Sequence, residues 1–371
     1  FSCFNELIYL TLNQRHTMKI LSKSSCIKPA VLLIAVLTSH SLLANTKVLH
    51  IGSLLAEPGK AAKSKQTLVL KDDVITHIVD GYQSPALYGD DAKLIDLKNR
   101  FVMPGLMDMH SHVDMVVDAE YYTNIFYKDE ADQALIATKY TKDLLMAGFT
   151  TVRNLGGTVS LNIRDAVNAG HIPGPRIYAA GTGISTTGGH LDHTNGLNKH
   201  LSQLFGPPGP IKGIVDGPYA ARQAVRQRYK DGSDVIKLAV TGGVLSMAKS
   251  GDNPQFMADE LEAIMEAAND YNFVVAVHAH GEKGMKRAVE AGVHSVEHGT
   301  YMTPAIMKLM KKKGTYYVPT ISAGKWVEKH ADSYPAIIQA KASAIGAKMQ
   351  GGLSIVLAKS PISFLCKGAP K

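Results

Sequence analysis

The sequence predicts an α/β protein, a (β/α)8 TIM-type barrel preceded by a small β-sandwich part. From Phe101 onward, short apolar strands alternate with helical patterns, which is typical of parallel strands with crossover helices. With Phe101–His110 taken as the first barrel strand, the series continues to Tyr316 and fits a barrel of about 250 residues better than a doubly wound sheet. No Gly-rich dinucleotide-binding fingerprint follows any strand, which also disfavours the open sheet.

The predicted elements follow in chain order. The small β part, residues 45–100, has the predicted strands Thr46–Leu55, Gln66–Leu70, Val74–Val79 and Leu94–Leu97. The barrel, residues 101–349, continues with the strands Thr150–Leu155, Arg176–Ala180, Val235–Val240, Val274–His278, Ser295–His298 and Tyr316–Ile321. The predicted helices between them are Ala131–Met146, Tyr219–Tyr229, Ala258–Tyr271, Glu282–Ala291 and Pro304–Lys312.

Residues 18–44 have the pattern of a secretory signal peptide. Three lysines precede a short apolar run that ends in Leu42-Leu43-Ala44, and this pattern predicts export to the periplasm or the medium. The run is too short and too interrupted to span a membrane, which takes about 20 apolar residues, so no stable span is expected after cleavage. Residues 1–17 are interpreted as a non-native upstream segment and residues 350–371 as an aberrant tail.

The composition excludes several classes of protein. The chain has 371 residues, 45% of them hydrophobic, and a formal net charge of +8. Most of the excess positive charge lies in residues 1–44 and 350–371, so the body is not basic enough to predict a nucleic-acid partner. Cysteine occurs only as Cys3, Cys26 and Cys366, so a metal in the body must be held by His, Lys or carboxylate groups.

Polar residues at the ends of barrel strands are the candidate site, because barrel active sites lie at the C-terminal ends of the strands. His110 and His112 end the first strand and point to the same side of an extended chain, as a metal-binding pair requires. The next candidates are Lys237 in the fourth strand, His278 and His280 at the end of the fifth, and Glu297 and His298 at the end of the sixth.

Each candidate also has a simpler interpretation. A lone histidine at a strand end is more often structural, but the His-x-His pair together with two further strand-end histidines predicts a metal site. Lys237 lies in an apolar strand, where an unpaired ammonium costs several kcal/mol to bury. It is either a surface lysine that extends its amine into water or, once carbamylated by carbon dioxide, an anionic ligand that bridges two metal ions.

These segments resemble the amidohydrolase superfamily, and in particular its imidazolonepropionase-like and Xaa-Pro or Xaa-Arg dipeptidase branch. The resemblance covers residues 46–349 and is carried by residues 104–112, 181–192, 235–243 and 275–299. It implies two divalent metal ions, with zinc as the expected metal, and a hydroxide shared by both ions that attacks a carbonyl carbon. The implied metal ligands are His110 and His112 for one ion, His278 and His298 for the other, and carbamylated Lys237 between them.

The same resemblance assigns two histidines to the substrate. His190, in the segment Thr187–Asp192, and His280 are the implied substrate-binding residues, each with the alternative of a structural role. Arg153 is interpreted as a support of the barrel rim, and Glu297 as a carboxylate that orients a neighbouring residue.

One feature of the family is missing from the sequence. The eighth strand of the family ends in an Asp that binds metal and accepts a proton from water, but no acidic residue follows Asp332 here. We therefore expect a truncated or frameshifted copy with a missing or aberrant eighth strand.

The sequence favours an exported metal-dependent amidohydrolase that cleaves the amide C–N bond of a small substrate. The favoured substrate is an Xaa-Pro or Xaa-Arg dipeptide. The alternatives are a cyclic-amide (imidazolone-type) hydrolase and a catalytically impaired metal-binding remnant. A mononuclear deaminase is disfavoured because Lys237 would have no role in it. The sequence leaves open which metal is bound, which substrate side chains are preferred, and whether the chain forms a homo-oligomer.

Overall fold

A computed structural model describes residues 45–116, 120–124, 126–345 and 348. The chain divides after Val102 into two compact units. The predicted upstream segment (1–17), signal peptide (18–44) and tail (350–371) lie outside the described residues. Within the described residues, no helix is both long enough and apolar enough to cross a bilayer.

The first unit is one mixed four-stranded sheet. Its strands are β1 (Thr46–Leu54), β2 (Lys63–Lys71), β3 (Val74–Asp80) and β4 (Lys93–Val102), in the order β3-β2-β1-β4. β1 pairs antiparallel with β2 and parallel with β4. The prediction of a sandwich is corrected: all four described strands of this unit are hydrogen-bonded into a single sheet, so no second layer forms from them.

The second unit contains the predicted parallel strands in two runs. The first run is β5 (Leu106–Ser111), β6 (Phe149–Asn154) and β7 (Arg176–Ala179). The second run is β8 (Val235–Ala239), β9 (Val274–Ala279), β10 (Ser295–His298) and β11 (Tyr316–Val318). A parallel bridge between Ile184 and Leu238 joins the runs, so the described strands form a continuous series from β5 to β11.

Side chains from both runs meet in a common interior. The Arg153 guanidinium, on β6, lies 2.7 Å from the Glu297 carboxylate, on β10, and His110, on β5, also contacts Glu297. The sheet therefore curves as a barrel does. In the described residues β5 pairs only with β6 and β11 only with β10, so the barrel is not shown closed.

Helices connect the strands. They are α1 (Tyr121–Asn124), α2 (Glu130–Met146), α3 (Ser160–Asn168), α4 (Lys199–Leu204), α5 (Pro218–Asp231), α6 (Ala258–Asp270), α7 (Glu282–Ala291), α8 (Pro304–Lys313), α9 (Ile321–Lys329) and α10 (336–345). The largest apolar core lies between β8–β10 and the helices α5–α8, with Ile236, Leu238 and Val277 fully buried. This core fixes the strand ends that carry the candidate site.

Two predicted strand limits are wrong. Phe101 and Val102 pair with Ser53 and Leu54 in β4, and the barrel strand begins only at Leu106. Pro104 has no N–H to donate to a sheet, so the sequence between the two strands cannot continue the ladder. The predicted strand Tyr316–Ile321 ends at Val318, because Thr320 adopts a left-handed φ of 48° and the chain turns there into α9.

Candidate metal centre

Six histidines meet at the C-terminal ends of the barrel strands. They are His110, His112, His190, His278, His280 and His298. The ring centroid of His298 lies 4.8 Å from that of His110, 4.6 Å from that of His278 and 5.1 Å from that of His280. His112 follows His110 at 5.4 Å, and His190 stacks on His278 at 4.2 Å. The structure thus brings together all four predicted histidine ligands and both predicted substrate histidines.

Burial keeps these imidazoles neutral. It lowers the pKa of His112, His190 and His280 to about 3. It lowers the pKa of His110 and His298 well below the usual value, and the pKa of His278 likewise. A neutral imidazole has a free nitrogen lone pair, which is the form that binds a metal ion.

Lys237 lies in the middle of β8 and is 4% exposed, so it is not a surface lysine. Burial lowers the pKa of its amine to about 8, while the Glu297 charge raises it. The charge of Lys237 in turn helps to lower the pKa of all six histidines, which places the amine beside the cluster. A lowered pKa leaves more of the amine neutral near pH 7, and carbon dioxide reacts only with the neutral amine.

As the side chains stand, no group of three or more His, Cys, Asp or Glu residues in the described ranges is arranged to hold a metal ion. Four of the imidazoles have one ring nitrogen next to a neighbouring oxygen. The pairs are His110 Nδ1 with Glu297 Oε2 (3.0 Å), His278 Nε2 with Gly242 O (3.0 Å), His280 Nδ1 with Thr300 Oγ1 (2.7 Å) and His298 Nδ1 with Thr320 Oγ1 (2.7 Å).

The donor set nevertheless fits a divalent cation. The Nδ1 atoms of His112 and His190 are buried, and neither has a hydrogen-bond partner in the part of the chain that the structure describes. A buried polar atom without a partner costs free energy, and a bound ion is one way to satisfy it. Neutral imidazoles and a lysine that can become an anion are donors suited to zinc.

The buried ion pair between Arg153 and Glu297 contacts His110. Glu297 is fully buried, and its Oε1 accepts hydrogen bonds from Arg153 Nη2 at 2.7 Å and Ser295 Oγ at 2.6 Å. Its Oε2 faces His110 Nδ1, so the other ring nitrogen of His110 is the one available to a metal. Arg153 Nε also donates to Met109 O at 2.8 Å. These contacts agree with the interpretation of Glu297 as an orienting carboxylate, because such partners fix the ring of a metal-binding histidine, and the role itself stays a prediction.

Sequence reasoning missed Thr320. Its hydroxyl lies 2.7 Å from His298 Nδ1, and both residues have positive φ, 48° for Thr320 and 69° for His298. Such angles are uncommon outside glycine and unusual for a β-branched residue, and they concentrate at functional sites. The predicted strand Tyr316–Ile321 contains Thr320, so the sequence did not mark this residue as lying beyond a strand end; the structure does, because β11 ends at Val318.

We expect Thr320→Val to weaken metal binding about 10- to 100-fold, because His298 loses the hydroxyl that orients it. Valine matches threonine in shape and in backbone preference, so it removes only the hydrogen bond. Thr320→Ser retains the hydroxyl and serves as the control, with affinity close to that of the wild type. Competition against a coloured chelator measures the affinity, and equal affinities for the two variants would show that the hydroxyl does not position His298.

The predicted substrate residues lie at one side of the cluster. His190 stacks on the ring of His278 and lies close to Gly243, where an added Cβ would lie 2.2 Å from His190 Cε1. His280 is 3% exposed and pairs through Nδ1 with Thr300. Their contact with substrate stays a prediction.

Parallel strands joined by helices, with titratable side chains gathered at the strand ends, define an α/β protein whose candidate active site lies at those ends. The chain belongs to the amidohydrolase family, whose family model matches residues 101–365. This confirms the superfamily that the sequence segments resemble.

Solved structures and curated relatives agree with this family. A crystal structure of an Xaa-Pro dipeptidase with methionine bound in its active site is 42% identical, with a TM-score of 0.78 over 85% of this chain and 77% of that one. A prolidase complexed with N-methylphosphonate-L-proline is 29% identical, with a TM-score of 0.75 over 85% and 76%. The ochratoxinase of Aspergillus niger is 30% identical over 290 residues, which are 75% of this chain and 59% of that relative. This chain thus spans less than two thirds of the curated relative.

Proposed function

We propose that this amidohydrolase is a metal-dependent dipeptidase that hydrolyses the amide bond of Xaa-Pro or Xaa-Arg dipeptides. The observation that carries the proposal is the cluster of six buried, neutral imidazoles beside the buried amine of Lys237. The likeness to an Xaa-Pro dipeptidase at 42% identity supports a dipeptide over a cyclic amide.

The proposed ligands divide by strand. His110 and His112, on the loop side of β5, would hold one ion, while His278 of β9 and His298 of β10 would hold a second. Carbamylated Lys237 of β8 would be shared between the two sites. The ions, when bound, would lower the pKa of water to about 7 and polarise the substrate carbonyl.

The remaining side chains position the ligands and the substrate. Glu297, paired with Arg153, holds the ring of His110, while Thr320 and Thr300 hold His298 and His280. His190 and His280 are neutral, so each can donate one N–H to a substrate carboxylate or carbonyl oxygen. Asp332, the last acidic residue, is exposed in a short 3-10 turn, which agrees with its lack of a role in the proposed site.

Export is part of the proposal and rests on the residues 18–44 alone. Fusion of this segment to a reporter enzyme that is active only outside the cytoplasm tests it. Reporter activity supports export, and activity equal to that of a reporter without the segment contradicts it.

Metal removal and return is the test of the activity. We expect the chelated protein to be inactive, and about two equivalents of zinc to restore hydrolysis of Xaa-Pro or Xaa-Arg dipeptides. Released amino acid and protein-bound zinc are measured on the same samples. Turnover of a cyclic amide but of no dipeptide would establish the cyclic-amide alternative, and two bound ions without turnover of either class would establish the metal-binding remnant.

A further inference from the structure

The loop between β8 and α6 forms one wall of the His190 site. An added Cβ on Gly243 would lie 2.2 to 2.5 Å from the Cε1, Nδ1 and Nε2 atoms of the His190 ring, so the two residues are in close contact. The same ring also stacks on His278, with 4.2 Å between the ring centroids. The position of Gly243 therefore determines where the His190 imidazole can lie.

A lysine from the far end of the chain binds this loop. Lys341 lies on α10 and is 8% exposed. Its amine donates to Gly243 O at 3.0 Å, to Ala248 O at 2.8 Å and to Ser246 O. An ammonium group has three N–H donors, and all three have a carbonyl acceptor here.

The surroundings of the amine make these bonds necessary. Val244 and Leu245 pack with Ala342 and Ile345 in a small apolar cluster between the loop and α10. Residues 243–250 are in neither helix nor strand, so their carbonyls have no regular ladder of partners. A carbonyl that is buried without a donor costs free energy, and Lys341 supplies the donors for three of them.

We propose that Lys341 is a positioning residue for His190. By fixing the carbonyls of Gly243, Ser246 and Ala248, its amine holds the loop 243–248 against the imidazole and sets how tightly substrate is bound. The effect on substrate binding rests on the proposed dipeptidase function. The effect on the loop does not depend on that function.

Hydrogen exchange of the full-length protein tests the loop directly. In Lys341→Met, the rate of amide hydrogen exchange in residues 243–250 is expected to rise about tenfold or more, because buried hydrogen bonds to a charged donor are lost. Lys341→Gln retains two donors and should fall between Lys341→Met and the wild type. Lys325→Met, at an exposed position of α9, is the matched control and should exchange like the wild type.

Kinetics with an Xaa-Pro dipeptide test the substrate effect. We expect KM to rise about tenfold in Lys341→Met while kcat and zinc content stay near the wild-type values. Met and Gln variants that match the wild type in both exchange and KM would overturn the proposal, as would loss of zinc in proportion to activity. If the wild type hydrolyses no dipeptide, the proposed function fails, and the exchange data still decide the role of Lys341.

Discussion

Replacement of Lys237 with alanine is expected to remove bound metal and to lower kcat/KM by at least about a thousandfold. The amine is buried on β8, its charge helps to lower the pKa of all four predicted histidine ligands, and its carbamate would supply the anion shared between two cations. The fold should survive the change, since burial of an ammonium group costs free energy that alanine does not. Elemental analysis and dipeptide kinetics on the same preparation measure both effects.

Two variants sharpen this experiment. Lys230→Ala, at an exposed position of α5, controls for loss of a positive charge and should leave metal content and activity unchanged. Lys237→Glu places a carboxylate near the position of the carbamate and should recover part of the metal content. Full metal content and full activity in Lys237→Ala would refute the bridging role.

Arg153→Met is expected to lower the free energy of unfolding by about 3–5 kcal/mol, the usual cost of leaving a buried charge without its partner. Arg153 and Glu297 are 10% and 0% exposed at the side chain, so water cannot replace the lost contact. Urea unfolding followed by circular dichroism measures the change. The variant should also bind zinc more weakly, because Glu297 no longer holds the ring of His110 in place.

A surface ion pair provides the control. Arg222 lies 2.7 Å from Glu266, with side chains 33% and 64% exposed, so Arg222→Met should cost less than about 1 kcal/mol. The double variant Arg153→Met with Glu297→Gln should recover part of the lost stability, since neither charge is then left alone. An Arg153→Met variant as stable as Arg222→Met would show that the interior pair is open to solvent.

The fold could be predicted to the extent that local pattern determines it. α7 has the predicted limits, Glu282–Ala291, and α6 differs by one residue, because amphipathic periodicity and end signals lie within each segment. α3 was missed: its N-cap position is Val159, which makes no side-chain capping bond, so the usual start signal is absent. The strands of the small β part could be predicted, but the single sheet that the described ones form could not, because a strand pattern does not reveal how many sheets the strands will form.

The residues of the candidate site also divide into those that local sequence pattern predicts and those that it does not. His110 and His278 could be found because each lies at or near the end of a strand, and parallel strands bring their ends together. Lys237 could be found because it is the one charged residue of an apolar strand. Lys341 could not be found, because a lysine in a helix usually faces water and only the folded chain brings it to Gly243. The sequence carries no local signal for a contact between positions so far apart.

Glu297 contacts side chains from two other strands, and this links the stability of the fold to the affinity for metal, two properties that engineers often try to vary separately. It belongs to β10, pairs with Arg153 of β6 and faces His110 of β5. Selection of variants for thermal stability alone should therefore retain Glu297, and with it the affinity for the cation. Selection for a new metal preference through changes at Glu297 would instead be limited by unfolding.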